Sequence, residues 1–121
     1  MKTPAYYSAR YLSGRDLLAL LPWVPYGPVL DAGCGSGWLA ATIAQHGLAV
    51  EALDIDAERV LQAHQHYGEQ VNWQCADIRR FHLPHEHYAA IFCLNVLPFI
   101  PNDERPALIA RLKRSVKPGV S

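Results

Sequence analysis

Val29-Leu30-Asp31-Ala32-Gly33-Cys34-Gly35-Ser36-Gly37 decides the fold of this 121-residue chain. A short apolar run ends in an acid, three glycines follow at alternate positions, and a helical pattern opens with Trp38-Leu39-Ala40-Ala41-Thr42-Ile43. That order predicts a buried strand, a tight turn and a helix N-terminus whose first N–H groups lack partners within the helix. Glycine permits φ > 0 in the turn and lets a ligand approach the main chain. A backbone cradle is therefore expected at the carboxyl end of a strand, where open α/β sheets bind ligands.

The glycine spacing narrows the ligand. A dinucleotide fingerprint needs glycine at its first, third and sixth positions, and here the sixth is Trp38. A phosphate-binding loop needs Lys and then Ser or Thr after its last glycine, and neither is present. Asp31, two residues before the first glycine, would repel pyrophosphate and attract a cation. The pattern suits a nucleoside carrying positive charge.

Outward from the loop, strands and helices alternate. Residues 13–21 read as a helix stopped by Pro22, with the turn-rich stretch 23–28 leading into the first predicted strand. The helix from about Ser36 ends near Gly47, and Asp56 caps a second helix ending near Gly68. Residues 49–56, 71–78 and 88–97 supply the second, third and fourth strands. A last helix opens at 101–105, with acids first and Arg111, Lys113, Arg114 and Lys117 towards its end. This alternation predicts a doubly wound, Rossmann-like parallel α/β sheet in spatial order 3-2-1-4.

Composition fits one domain over 1–121, with a helical lid over about 1–25 and a core over about 28–121. Half the residues are apolar, and Lys+Arg and Asp+Glu balance at 11 each. No basic surplus points to nucleic acid. No stretch is long enough to span a bilayer, and the N-terminus has no apolar signal-peptide core, so a cytoplasmic protein is expected. The three cysteines read as reduced core residues. His82, His85 and His87 crowd one loop, read as solvated without a metal.

Residues 31–37 resemble the first motif of class I S-adenosylmethionine-dependent methyltransferases, and the likeness continues in order along the chain. Residues 49–56 resemble the second strand with its terminal acid, 71–78 the third strand and the acid after it, 88–97 the fourth strand and its loop, and 112–119 the helix end leading to a fifth strand. The narrower likeness is to small-molecule enzymes of the tellurite-resistance and quinone-biosynthesis kind. The resemblance implies S-adenosyl-L-methionine as cofactor, a small-molecule methyl acceptor, and a seven-stranded sheet of which four strands are present here. By that resemblance, the C-terminal strands are expected to be missing from this sequence. The expectation is therefore a fragment, or a homodimer through the exposed fourth-strand edge at 91–94, inactive in this form and prone to self-association.

Carried onto this sequence, the resemblance places Gly33, Gly35 and Gly37 in the cofactor loop and Asp31 near its methionine part. It puts Asp54 on the ribose hydroxyls with Ile55 beside it, Asp77 on the adenine amino group with Ile78 against the ring, and Asn95 near the transferred methyl. Each has a plainer structural reading: an Asx turn at Asp54, a loop-starting acid at Asp77, a local hydrogen bond at Asn95. Tyr6, Tyr7 and Tyr11 precede the first helix as lid candidates. No catalytic residue can be assigned, because methyl transfer from a sulfonium needs positioning and requires a base only for a protonated acceptor. The alternatives are a non-catalytic cofactor-binding domain and a nucleotide-dependent oxidoreductase.

Overall fold

A computed structural model describes residues 6–8, 21–24, 26–93 and 96–118. Its strands are β1 (Tyr6–Ser8), β2 (Val29–Ala32), β3 (Val50–Asp54), β4 (Asn72–Cys75) and β5 (Ala90–Cys93). Its helices are α1 (Trp38–Gln45), α2 (Ala57–Tyr67) and α3 (Arg105–Ser115). Every pairing is parallel, and the spatial order is β1-β5-β2-β3-β4. The first to fourth predicted strands are β2 to β5, so the expected order 3-2-1-4 stands.

Alternation along the strands builds two apolar layers. Val29, Val50, Ala52, Ala90 and Phe92 pack with Leu39, Ala40 and Ile43 of α1. Leu30, Ala32, Leu53, Ile91 and Cys93 pack with Leu108 and Leu112 of α3. β2 and β5 are buried at every position, as strands covered on both faces must be. Each fully buried Leu, Ile or Phe contributes roughly 1.5–3 kcal/mol.

Helix ends follow local chemistry. The Asp56 carboxylate caps α2, accepting from the Glu58 and Arg59 amides at 3.0 and 3.3 Å. α1 has no side-chain cap and starts instead from Gly37 at φ 88°. A Cβ on Gly37 would lie 2.8 Å from the Trp73 ring and 2.9 Å from Ala63, so this glycine lets α2 and β4 close on the loop. The close-packing glycine thus stands one position earlier than in the dinucleotide fingerprint, and Trp38 is left exposed.

Three expectations need correction. The fourth predicted strand is not at the edge: β1 lies outside β5, pairing Tyr6, Tyr7 and Ser8 with Ile91, Phe92 and Cys93. An apolar strand with unpaired backbone groups is costly, and β1 supplies those hydrogen bonds from the same chain. The homodimer expected through that edge therefore loses its premise. Tyr6 and Tyr7, expected in a lid, are strand residues; Tyr11, the rest of the lid and the helix over 13–20 lie outside the described residues, and Leu21–Trp23 form a 3-10 turn. Cys75 is exposed at the end of β4, unlike buried Cys34 and Cys93. The expected lead towards a further strand is present at Val116, which forms a parallel bridge with Tyr88.

Candidate functional site

The carboxyl ends of β2, β3 and β4 and the loop after β5 enclose a cleft of about 450 Å³. Gly33, Cys34 and Gly35 form its floor beside β2, and Leu53, Asp54 and Ile55 come from β3. Ala76, Asp77, Ile78 and Arg79 make the wall beyond β4; Val96, Phe99 and Ile100 make the wall beyond β5. The size is that of small-molecule sites, and the strand order reverses here, as expected of a ligand crevice.

Four of the loop's amides are already paired within the protein. Gly33 and Cys34 both donate to the Leu53 carbonyl, at 2.8 and 2.7 Å, and Gly37 donates to the Cys34 carbonyl at 2.9 Å. The Gly35 amide donates to Asp54 Oδ2 at 2.9 Å. A pyrophosphate cradle needs such N–H groups turned towards the ligand. This loop instead offers carbonyls and Cα surface to a ligand that need not be an anion. Gly33 has φ 94°, and a Cβ there would collide with Val96, so the two sides of the cleft approach each other across a bare Cα.

Two carboxylates lie under and beside the loop. Asp54 is nearly buried and is the tie of the site: Oδ2 accepts from Gly35, and Oδ1 accepts from the Asp56 amide at 2.9 Å. The Asx turn anticipated as the plain reading is therefore real. Each oxygen retains a second acceptor position for a ligand hydroxyl. Asp31 is buried in β2, and its Oδ2 has no hydrogen-bond partner among the described residues. Burial, and then repulsion from Asp54, push its carboxyl up to about 7. A cation bound above it would oppose both effects.

Asp77 stands in the β4 wall with its carboxylate gripped by Arg79, whose Nη2 donates to Oδ2 at 2.8 Å and whose backbone N–H donates to Oδ1 at 3.0 Å. Those hydrogen bonds hold the carboxyl below its ordinary range. It therefore faces the cleft ionised, as an acceptor only. Cys34 also lines the cleft, but burial and the nearby Asp31 raise its thiol to about 12, which removes it as a nucleophile. Among the described residues no three His, Cys, Asp or Glu side chains converge as metal ligands.

Of the residues singled out in the sequence, Gly33, Gly35, Asp54, Ile55, Asp77 and Ile78 all line the one cleft. Asp31 is buried in β2 next to the loop, Gly37 packs behind it, and Asn95 lies outside the described residues. Arg59, Arg79, Phe99 and Ile100 were not anticipated. Arg79 had a usable signal, two residues after a strand-ending acid; Phe99 and Ile100 had none, since their place depends on how the loop after β5 folds.

Residues 29–119 match the family model described as a methyltransferase domain. The ubiquinone biosynthesis O-methyltransferase of Coxiella burnetii is 32% identical over 94 residues, covering 75% of this chain and 39% of that protein. Magnesium protoporphyrin IX methyltransferase from Synechocystis PCC 6803, solved with bound SAH, superposes with a TM-score of 0.73 at 30% identity, over 85% of this chain and 50% of that one. A TehB-like SAM-dependent methyltransferase from Corynebacterium glutamicum gives 0.70 at 25% identity, over 85% and 55%. The chain thus spans about half or less of the length of these relatives. With its glycine loop, its acid-ended strands and its cleft in register with the matched segment, the chain belongs to the methyltransferase-domain family, among the class I S-adenosylmethionine-dependent methyltransferases.

Proposed function

We propose that this domain binds S-adenosyl-L-methionine in the cleft and positions it for methyl transfer to a small-molecule acceptor. The observation that carries the reading is the glycine loop whose Gly33, Cys34, Gly35 and Gly37 amides are already paired within the protein, beside the buried Asp31 carboxylate. Such a floor disfavours a pyrophosphate, and so a dinucleotide oxidoreductase, and favours a ligand with a cationic centre. The Oδ2 of Asp31, without a hydrogen-bond partner among the described residues, and the bare Cα of Gly33 both fit that ligand.

The bound sulfonium would supply a methyl group that is already electrophilic. The chain's own residues then bind and orient. Asp54 accepts from the ribose hydroxyls with its remaining acceptor positions, beside Ile55. Asp77 accepts from the adenine amino group, and Ile78 packs on the ring. Gly33 and Gly35 let the chain pass close to the cofactor, Gly37 closes the loop on α2, and Asp31 offsets positive charge from below. Asn95, outside the described residues, is assigned to the methyl group by the family resemblance alone. No general base is assigned, and none is required for an acceptor that is already nucleophilic.

An apolar mouth supports a small, partly apolar acceptor: Ile55 and Phe99 are 68% and 83% exposed at the cleft rim. The reading includes a cytoplasmic setting, where the thiols of Cys34 and Cys93 stay reduced. Titration calorimetry of the chain with S-adenosylhomocysteine and NADH tests it. Binding of the first at about one per chain, with none of the second, is expected. The reverse order would replace the methyltransferase reading with the oxidoreductase one.

A further inference from the structure

We infer that Arg111, a residue of α3 outside the cleft, sets the shape of the wall that reads the cofactor's base and is therefore a positioning residue for cofactor binding. The inference rests on the S-adenosylmethionine reading above. The wall beyond β4 is a single turn in which the amides of Arg80 and Phe81 both donate to the Asp77 carbonyl at 2.9 Å. That fold leaves the later carbonyls of the turn pointing away from the cleft. Arg111 takes them. Its Nη1 donates to the Arg79 carbonyl at 2.8 Å and the Ile78 carbonyl at 3.5 Å, and its Nη2 donates to the Phe81 carbonyl at 2.5 Å.

One planar guanidinium therefore holds three carbonyls of the turn, those of Ile78, Arg79 and Phe81, while Asp77 and Ile78 line the cleft. A second tie from the same helix, Glu104 to Arg79 at 3.4 Å, is exposed on both sides and contributes little. The opposite wall is held in the same manner by Arg105, whose Nε donates to the Ile100 carbonyl at 2.8 Å and whose Nη2 donates to the Pro98 carbonyl at 3.2 Å. α3 thus grips both walls, and Arg111 grips the one that carries the base acceptor. A lysine ammonium cannot reproduce the fork, because its donors diverge from one nitrogen on a flexible stem.

The test is base discrimination, which general destabilisation does not alter. Affinities for S-adenosylhomocysteine and S-inosylhomocysteine are measured by calorimetry for wild type, Arg111→Met, Arg111→Lys and a destabilised control, Leu108→Ala. The inosine compound presents a carbonyl where Asp77 expects an amino donor. Wild type and Leu108→Ala are expected to favour the adenine compound by about tenfold or more, the scale of one charge-assisted hydrogen bond. Arg111→Met should lose about tenfold for the adenine compound with the preference collapsing towards one, and Arg111→Lys should fall between, which decides the matter should the methionine variant not fold. Preserved preference in the Arg111 variants would overturn the inference, as would a wild type that binds both compounds equally. A wild type that binds neither would bring down the cofactor reading as well.

Discussion

The two sides of the cleft are built by different means. On the β2–β3 side, shape comes from the main chain: glycines at positive φ, amides returned to the Leu53 carbonyl, and one carboxylate, Asp54, clasping Gly35 and Asp56. On the β4–β5 side, shape comes from arginines of α3 that bond loop carbonyls, Arg105 those just before the helix and Arg111 those about thirty residues earlier. The first side is rigid because few side chains could replace the ones present. The second is adjustable, because its fasteners lie outside the cleft and can change while the lining stays. Under the proposed function, that division suits a fixed grip on the donor beside a wall that can vary.

The comparison is broken most severely at Gly33. Gly33→Val places a branched side chain at φ 94°, against Val96. Strain of about 1–3 kcal/mol and a blocked floor should abolish S-adenosylhomocysteine binding and lower the melting temperature. Calorimetry and thermal melts check both. Retained binding would show that the backbone side is less rigid than described.

Asp31 should make stability depend on pH. In the unfolded chain its carboxyl ionises near the ordinary 3.8, whereas in the fold it does so only near 7. Over that interval the unfolded state releases the proton first, so stability falls as pH rises from about 4 to 7 and then levels. The loss is at most about 4 kcal/mol. Asp31→Asn should remove the slope in denaturant titrations across that range, and an unchanged slope would assign it to another group.

Asp54→Ala removes the clasp and, with it, the acceptor proposed for the ribose. Affinity for S-adenosylhomocysteine should fall by about 1–3 kcal/mol in calorimetry while the sheet, read by circular dichroism, persists. Arg105→Lys, on the adjustable side, should cost only about 0.5–1.5 kcal/mol of stability in denaturant melts. An Asp54→Ala variant that binds S-adenosylhomocysteine as tightly as wild type, or an Arg105→Lys variant that fails to fold, would erase the distinction between the sides.

The same division explains what was legible in the sequence. The core strands, the Asp56 cap and the loop were readable because each depends on residues close in sequence: alternating apolar positions, a cap two or three residues from its amides, glycines where φ must be positive. Six of the nine anticipated cofactor residues line the cleft for that reason. β1 was missed because Tyr6-Tyr7-Ser8 gains strand structure only by meeting β5, more than eighty positions away. Arg111 looked like a helix-end cation complementing the dipole, and its carbonyl partners lie about thirty residues earlier. Cys34 was read as a core cysteine, which its burial supports, but that reading overlooked its place in the cleft floor.

The central claim is that the loop over Asp31 holds a cationic nucleoside. Calorimetry that compares S-adenosylmethionine with S-adenosylhomocysteine at pH 6 and pH 8 tests it most directly, because the two ligands differ by the methyl group and its charge. The account predicts binding of both, with the preference for the charged form growing as Asp31 ionises between those pH values, and with that growth absent in Asp31→Asn. A preference that does not change with pH, or one that changes equally in Asp31→Asn, would contradict it.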